Sequence, residues 1–319
     1  DGHSGLRRRP MERIARPLRR MGASVETDDG RPPLRLRGGM LTGVDWTLPI
    51  PSAQVKSAIL LAGLFATGET VVRQPGPARD HTERMLRAQG VNLSVEGNVI
   101  RLQPPSAPLR PLRFTVPGDF SSAAFLVAAA LLVPNSRLRL EGVNVNPTRT
   151  GLLDVLRAMG ASVSLLDRRE QAGEPLADLQ IESASSLRGT EIGGDTVVRM
   201  IDEFPILAVV ATQARGVTVV RDAAELRVKE TDRIKSTVLE LRKMGAHLIP
   251  HPDGFEVHGP TPLRGAEVDS CGDHRLAMAL AVAGLVADSP TTIHNAAVIA
   301  DSFPGFVDAL RQVGAKIEE

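Results

Sequence analysis

Residues 226–235 carry acidic and basic side chains in alternation, and these could bind an anion and transfer protons. We predict a strand-like segment that leads into an amphipathic helix with Thr231 as its N-cap. Lys229 and Arg233 flank the first turn, where free backbone N–H groups and the positive end of the helix dipole also suit a phosphate or carboxylate. Glu230 lies among them as a group able to transfer a proton. The pattern indicates a site for a small phosphorylated anion, but a solvated helix start with self-paired charges shows the same pattern.

Length and composition are those of an ordinary globular protein. The chain has 319 residues, of which 42% are hydrophobic and 24% charged, with a net charge of +1. This length exceeds what a single core usually supports, so we predict two domains. The balanced charge, and apolar runs too short to span a bilayer, favour neither a nucleic-acid nor a membrane partner. The single Cys271 excludes an internal disulfide and fits a reducing compartment, so we expect a cytoplasmic protein.

Two kinds of helix recur along the chain and would position these groups. The first kind ends in Leu-Arg-x-x-Gly and returns at intervals of roughly 70 residues, which indicates a repeated module. We predict a left-handed glycine cap and a following strand at each of Gly22, Gly90, Gly160, Gly245 and Gly314. The second kind is apolar nearly all round, so we predict that it is buried at residues 52–66, 121–132, 204–214 and 274–287. Together they form a βαβαββ module that must pack on its neighbours.

Each buried helix begins with residues that can cap it or bind a ligand. Ser and Asp cap helices in all kinds of proteins, so capping alone explains Ser52, Asp119, Asp202 and Asp273. If the modules are related by pseudo-symmetry, however, the helix N-termini converge and create an anion site. Gln54 and Arg275 would then be ligand groups.

A proline-rich stretch marks the predicted boundary between the domains. Residues 104–111 contain four prolines just before a predicted strand at 114–117. Such a stretch is typical of a hinge. We therefore predict domains at residues 1–115 and 116–319.

The ordered set of motifs resembles the enolpyruvyl transferases, and among them the EPSP synthase family. The resemblance covers essentially the whole chain and rests on residues 6–11, 51–54, 79–83, 118–123, 201–203, 227–233, 273–275 and 302–304. It implies an α/β (α+β) fold of two domains, each with βαβαββ modules around a pseudo-threefold axis, an inside-out α/β barrel. The resemblance begins within the second module, so we expect that a first module, with its Pro-Gly-x-Lys-Ser motif, is missing. Residues 1–115 would be the rest of the N-terminal domain, and 116–319 a C-terminal domain of three modules whose last strand the N-terminus supplies.

The family's reaction implies the substrates of this chain. Its members transfer the enolpyruvyl group of phosphoenolpyruvate to the 5-hydroxyl of shikimate 3-phosphate and release phosphate, in the pathway to the aromatic amino acids. The resemblance implies no cofactor and no metal, and we expect a monomer. Without the first motif we expect the isolated segment to be inactive.

Site residues follow by matching motifs one position at a time. The residues matched to phosphoenolpyruvate are Arg9, Gln54, Arg233 and Arg275. Those matched to shikimate 3-phosphate are Ser52, Ala53, Gln54, Arg79, Asp202 and Lys229. Asp202 matches the base that faces the 5-hydroxyl, Lys229 the lysine beside it, and Glu230 the proton donor. Guanidinium forks suit a small molecule that carries both a carboxylate and a phosphate.

Two positions depart from the common family pattern. Asp301 stands where many members carry a lysine, which removes one anion contact, and Ala53 replaces a second serine. With the Arg79 motif, these features resemble the members less sensitive to glyphosate, the inhibitor for which this family is the target. Reduced glyphosate sensitivity is therefore an expectation.

Two alternatives remain open on the sequence. The sister transferases that act on UDP-N-acetylglucosamine carry a reactive cysteine in the other domain, which Cys271 does not match, because it lies just before the helix that starts near Asp273. The second alternative is a non-catalytic repeat scaffold or binding module, because the first-motif lysine is absent.

Overall fold

The protein divides into two compact units in a computed structural model, which describes residues 1–2 and 4–318. One unit comprises Asp1–Thr115 with Glu170–Glu174, and the other comprises Val116–Arg169 with Pro175–Glu319. Each unit has its own hydrophobic core. The assignment of these units to partial and complete modules stays a prediction.

The first unit combines helices with three small sheets. Its helices are α1 (Ser4–Arg7), α2 (Glu12–Arg20), α3 (Ala53–Gly63) and α4 (His81–Ala88). Its strands are β1 (Ser24–Asp28), β2 (Arg31–Arg37), β3 (Leu41–Thr42), β4 (Asp45–Thr47), β5 (Ala66–Thr67), β6 (Thr70–Arg73), β7 (Leu93–Glu96) and β8 (Val99–Leu102). The largest sheet has the order β4-β6-β8-β7, in which only the β4–β6 pair is parallel. Strands β1 and β2 pair antiparallel, and β3 and β5 pair parallel.

The second unit is larger and has the same mixture of elements. Its helices are α5 (Phe120–Leu132), α6 (Gly151–Ala158), α7 (Asp195–Arg199), α8 (Phe204–Thr212), α9 (Arg233–Lys243), α10 (His274–Gly284) and α11 (Phe306–Gln312). Two 3₁₀ helices lie at Ala224–Val228 and Ala296–Asp301. Its strands are β9 (Arg137–Asn144), β10 (Val163–Gln171), β11 (Glu174–Glu182), β12 (Leu187–Arg188), β13 (Glu191–Ile192), β14 (Ala214–Val220), β15 (His247–His251), β16 (Gly254–Gly259), β17 (Glu267–Asp269) and β18 (Thr292–His294). They form the sheets β10-β11-β9, β12-β14-β16-β15 with β13 beside β14, and β17-β18.

All five predicted glycine caps are confirmed. The glycines after α2, α4, α6, α9 and α11 have φ of +106°, +88°, +92°, +89° and +96°. At the end of α9, Gly245 N–H donates to the carbonyl of Arg242, and Ala246 N–H donates to that of Leu241. These two bonds are the Schellman pattern, which requires a left-handed residue where glycine has no steric penalty. The repeat in the sequence therefore encodes a repeated helix stop.

The arginine of the same repeat binds the chain segment that follows. Nε of Arg242 donates to the carbonyl of Leu248 at 3.0 Å, six residues further on. The same bond is made in three other copies, by Arg19 to Val25, Arg87 to Leu93 and Arg311 to Ile317. The repeated Leu-Arg-x-x-Gly pattern thus specifies both the helix end and the direction in which the chain leaves it.

The apolar helices form as predicted but differ in burial. In α5 and α8 nearly every side chain is buried, whereas α3 buries Val55, Ile59 and Leu60 but leaves Leu61 49% exposed. Within the described residues, no helix combines the length and apolarity needed to cross a membrane.

Four local predictions were wrong. Residues 226–228 are not strand-like, because they belong to the 3₁₀ helix Ala224–Val228. Residues 114–117 and 315–317 lie in irregular chain instead of the predicted strands. Finally, Asp232 caps α9, where its Oδ1 accepts from Lys235 N–H at 3.0 Å, so Thr231 is not the cap.

Candidate functional site

Arg233 is the centre of a charged cluster in the second unit. It is the first residue of α9, and its side chain is only 2% exposed. Nε donates to Oδ2 of Asp273 at 2.7 Å, and Asp273 is itself fully buried. Asp273 also caps α10, where its Oδ1 accepts from Arg275 N–H. One carboxylate therefore holds the guanidinium and starts the neighbouring helix.

The outer nitrogens of Arg233 face two further carboxylates. Nη2 donates to Oε2 of Glu230 at 2.6 Å, and Nη1 donates to Oδ1 of Asp202 at 3.3 Å. Arg275 lies on the other side of Asp202, with 3.6 Å between Nη2 and Oδ2. The structure thus brings together four of the predicted residues. Carboxylates and cations alternate among them, in the order Glu230, Arg233, Asp202 and Arg275.

Burial and neighbouring charges shift the pKa of Arg233 in opposite directions. Burial lowers the pKa of the guanidinium, but the negative charges of Asp273, Glu230 and Asp202 outweigh this, so the pKa lies above its usual value. Arg233 therefore stays charged in its buried position. Beside it, burial and the charge of Arg275 lower the pKa of His274.

Lys229 makes its ion pair outside this cluster. Its Nζ contacts Oε1 of Glu225, one turn earlier in the 3₁₀ helix. Arg227, in the same segment, donates to the carbonyl of Pro252 and to Asp232. The charged stretch at residues 226–235 is therefore partly self-paired, as in the solvated alternative, and partly built into the Arg233 cluster.

A second polar network at the start of α5 was not predicted. Ser121 donates to Oε1 of Glu203 at 2.5 Å, and both residues are 2% exposed. Nη2 of Arg149 donates to Ser121 Oγ at 2.7 Å and to Oδ1 of Asp119 at 2.9 Å. This network joins the first turn of α5 to Glu203, the residue after Asp202. The sequence signal for it was weak, because Arg149 lies far from the recognised motifs.

In the first unit, the predicted residues lie at the start of α3. Ser52 is the N-cap, and its Oγ accepts from Val55 N–H at 3.4 Å, while Ala53 is the first helical residue. Gln54 is exposed, and its Oε1 accepts from Nη2 of Arg13 at 3.3 Å. Arg13, on α2, was not predicted.

Arg79 and Arg9 occupy loops of the same unit. Arg79 is half-buried two residues before α4, and Arg9 is exposed in the turn after α1. The backbone N–H of Arg9 donates to the carbonyl of Leu6 at 2.9 Å. Both are positioned by short loops at helix ends rather than by strands.

Comparison with known proteins assigns the chain to a family. The sequence profile described as EPSP synthase (3-phosphoshikimate 1-carboxyvinyltransferase) matches residues 1–310. A 3-phosphoshikimate 1-carboxyvinyltransferase from Thermodesulfovibrio yellowstonii is 48% identical over 314 residues, which are 98% of this chain and 73% of the relative. One from Brevibacillus brevis is 50% identical over 315 residues, 98% of this chain and 74% of the relative. The chain belongs to the EPSP synthase family.

Solved structures agree with this family assignment. An EPSP synthase from Acinetobacter baumannii superposes with a TM-score of 0.92 at 45% identity and covers 99% of this chain and 73% of that chain. The enolpyruvyl transferase NikO from Streptomyces tendae has a TM-score of 0.80 at 22% identity, over 98% of this chain and 73% of that chain, and shows the shared fold alone.

Family membership confirms two predictions made from the motifs. The resemblance to the EPSP synthase family and the α/β fold class are both confirmed. The names of the relatives favour this family over the transferases that act on UDP-N-acetylglucosamine. The roles of individual site residues stay predictions.

Proposed function

We propose that this protein transfers the enolpyruvyl group of phosphoenolpyruvate to the 5-hydroxyl of shikimate 3-phosphate, with release of phosphate. The observation that carries the proposal is the cluster of Arg233, Arg275, Asp202 and Glu230. The reaction needs an acid, a base and cations for a carboxylate and a phosphate, and this cluster contains all of these groups. Membership of the EPSP synthase family names the reaction.

The chemistry proceeds by addition and then elimination. A proton is added to the methylene carbon of phosphoenolpyruvate, and the adjacent carbon, which gains cationic character, is attacked by the 5-hydroxyl oxygen as that hydroxyl loses its proton. The tetrahedral intermediate then expels phosphate and loses a proton from the methyl carbon, which restores the double bond. Glu230 is the proton donor in this scheme, and Asp202 is the base for the hydroxyl.

The ion pairs of the cluster suggest how substrate binding prepares the acid. Arg233 is anchored through Nε by Asp273, while its outer nitrogens contact Glu230 and Asp202. An anionic substrate that binds these outer nitrogens competes with both carboxylates, but Asp202 keeps Arg275 beside it and therefore stays ionised as the base. Glu230 then loses a positive neighbour and gains a negative one, which favours its protonated form. Binding of phosphoenolpyruvate would thus produce the acid that the first step requires.

The residues of the first unit bind shikimate 3-phosphate in this proposal. Ser52 lies at the N-terminus of α3, where backbone N–H groups favour an anion. Gln54 and Arg79 add an amide and a guanidinium. Lys229 is a residue of the second unit, and its proposed role as a substrate-binding cation requires that it release Glu225. No cofactor or metal is required, and we expect a cytoplasmic monomer.

The test is phosphate release by the full-length protein. With phosphoenolpyruvate and shikimate 3-phosphate we expect turnover, and with UDP-N-acetylglucosamine as acceptor we expect none. Isothermal titration should show binding of shikimate 3-phosphate, and then of phosphoenolpyruvate in its presence. A protein that binds neither substrate would contradict the proposal and would favour the scaffold alternative.

A further inference from the structure

Lys56 and Glu83 form an ion pair inside the first unit, away from the predicted site residues. Lys56 is the fourth residue of α3 and Glu83 is in the first turn of α4. Nζ and Oε1 are 2.5 Å apart, and the side chains are 1% and 3% exposed. A lysine and a glutamate are rarely buried this completely.

This pair is a poor source of stability. Removing both charges from water costs several kcal/mol per ion before their attraction offsets it, and the offset is full only when the remaining polar atoms are also hydrogen-bonded. Here Oε2 of Glu83 is buried without a hydrogen-bond partner among the described residues. An apolar pair of similar volume would stabilise the unit at least as well.

The pair instead defines how two helices align. Beside it, Ser57 Oγ and Thr82 Oγ1 are 2.6 Å apart, so consecutive residues of α3 contact consecutive residues of α4. Apolar contacts tolerate sliding, whereas two adjacent polar contacts are satisfied at one relative position only. A buried polar pair that selects one register is the best-attested use of such pairs.

The ends of both helices carry residues assigned above to shikimate 3-phosphate. Lys56 N–H donates to the carbonyl of Ser52, the cap of α3, and Gln54 lies two residues before Lys56. Arg79 lies four residues before Glu83. A shift between the helices would therefore move Ser52 and Gln54 relative to Arg79.

We infer that Lys56 and Glu83 are positioning residues, which hold the Ser52–Gln54 segment and Arg79 in the geometry that binds the phosphorylated acceptor. The inference rests on the proposed function. A displacement of about 1 Å in a binding group can cost on the order of a hundredfold in rate. The pair would thus act on acceptor binding without contacting the acceptor.

The experiment separates positioning from stability in the full-length protein. The single variants Lys56→Met and Glu83→Leu should both lower the melting temperature, because each leaves one buried charge without its partner. The double variant, Lys56→Met with Glu83→Leu, should regain the wild-type melting temperature. Its kcat/KM for shikimate 3-phosphate should nevertheless fall about tenfold or more, mainly through a higher KM, because the displaced groups bind the acceptor.

A matched control is available in the same unit. Arg73 on β6 and Asp45 on β4 form a two-bond ion pair, and their side chains are 42% and 54% exposed. Their joint replacement, Arg73→Gln with Asp45→Asn, should leave KM for both substrates unchanged. The conservative variant Glu83→Gln should keep part of the acceptor affinity, because its amide oxygen keeps a polar atom of the same size beside Nζ of Lys56.

Each other outcome contradicts the inference in a distinct way. A double variant that is stable and keeps the wild-type KM would show that the pair is only structural. A double variant less stable than both single variants would show that charge itself is needed for folding. If the wild-type protein neither binds nor converts shikimate 3-phosphate, the proposed function fails first, and the inference fails with it.

Discussion

Nε of Arg233 and Oδ2 of Asp273 are 2.7 Å apart in a place where both side chains are almost wholly buried. Asp273 also accepts from Nη2 at 3.5 Å, so it holds the Nε–Nη2 edge of the guanidinium, while Nη2 also contacts Glu230 and Nη1 contacts Asp202. The planar fork of arginine is suited to this division, because its donors point in fixed directions. The site is pre-organised by a residue that sequence reasoning treated as a helix cap.

Asp273→Ala should strongly destabilise the protein. It leaves Arg233 buried without its anchoring charge, which costs about 3–5 kcal/mol, and removes the cap of α10. Urea denaturation measures the loss. Asp45→Ala, which breaks an exposed pair with Arg73, should cost less than about 1 kcal/mol. Equal losses in the two variants would show that the buried pair has no special role.

Arg233→Lys should reduce catalysis while it keeps the charge. A lysine has one ammonium, which cannot contact Asp273 and present further donors to a substrate at the same time. We expect kcat/KM for phosphoenolpyruvate to fall about a hundredfold, close to 2.7 kcal/mol of transition-state stabilisation. Lys235→Ala, an exposed cation in the same helix turn, should change it less than about threefold. A fully active Arg233→Lys variant would show that the paired donors of the guanidinium are not needed to bind phosphoenolpyruvate.

Glu230→Gln and Asp202→Asn should lower kcat more than they raise KM. Both substitutions keep the shape and the hydrogen-bond acceptor but remove proton transfer, which typically contributes about 10²–10⁴-fold. Steady-state kinetics with each substrate varied in turn gives the two effects separately. Glu225→Gln, which removes the partner of Lys229, should leave kcat within about threefold. If only KM changes in the first two variants, these carboxylates orient substrate without moving protons.

Much of the fold could be predicted because its signals are local. Gly245 and its four counterparts stop helices by a bond pattern that needs a left-handed residue, so a glycine at a fixed offset is sufficient to reveal each stop. Burial of α5 follows from apolar residues on all faces. The details that were missed depend on partners distant in sequence, or on which of two neighbouring residues, such as Thr231 and Asp232, caps a helix. Residues 226–228 have the composition of a strand but form a 3₁₀ turn.

The site could be predicted only as a set of residue types. Asp202, Glu230 and Arg275 were identified through family motifs, and the structure brings them around Arg233. The carboxylate that anchors Arg233 could not be identified in advance, since Asp273 lies 40 residues away along the chain. Sequence reasoning also missed Arg149, whose partners at the start of α5 are 28 and 30 residues away. Such pairings are properties of packing and have no local signature.

The corrected start of α9 can be tested with two neighbouring variants. Asp232→Ala removes the side chain that accepts from Lys235 N–H, so it should cost about 1 kcal/mol of unfolding free energy. Thr231→Val should cost less or even stabilise, because Oγ1 of Thr231 is buried without a hydrogen-bond partner in the described part of the chain. Chemical denaturation of both variants decides between them. The reverse order of losses would restore Thr231 as the cap.

Asp178 should make the stability of the second unit dependent on acidic pH. Its carboxylate accepts from Gly142 N–H at 2.9 Å, from Arg139 at 2.7 Å and from Arg169 at 3.3 Å. The backbone bond from Gly142 and then the bond from Arg139 lower the pKa of Asp178 to about 2. Since the folded pKa lies below the unfolded value of about 3.9, the contribution is complete above that value and is lost as pH falls toward 2.

Asp178→Asn tests this linkage by difference. The variant cannot ionise, so the gap in unfolding free energy between wild type and variant should be constant above about pH 5 and should shrink between about pH 4 and pH 2. Urea denaturation at a series of pH values gives the gap directly. Glu141→Gln, an exposed carboxylate on β9, should change the unfolding free energy little. A gap that stays constant down to about pH 2 would show that ionisation of Asp178 does not stabilise the fold.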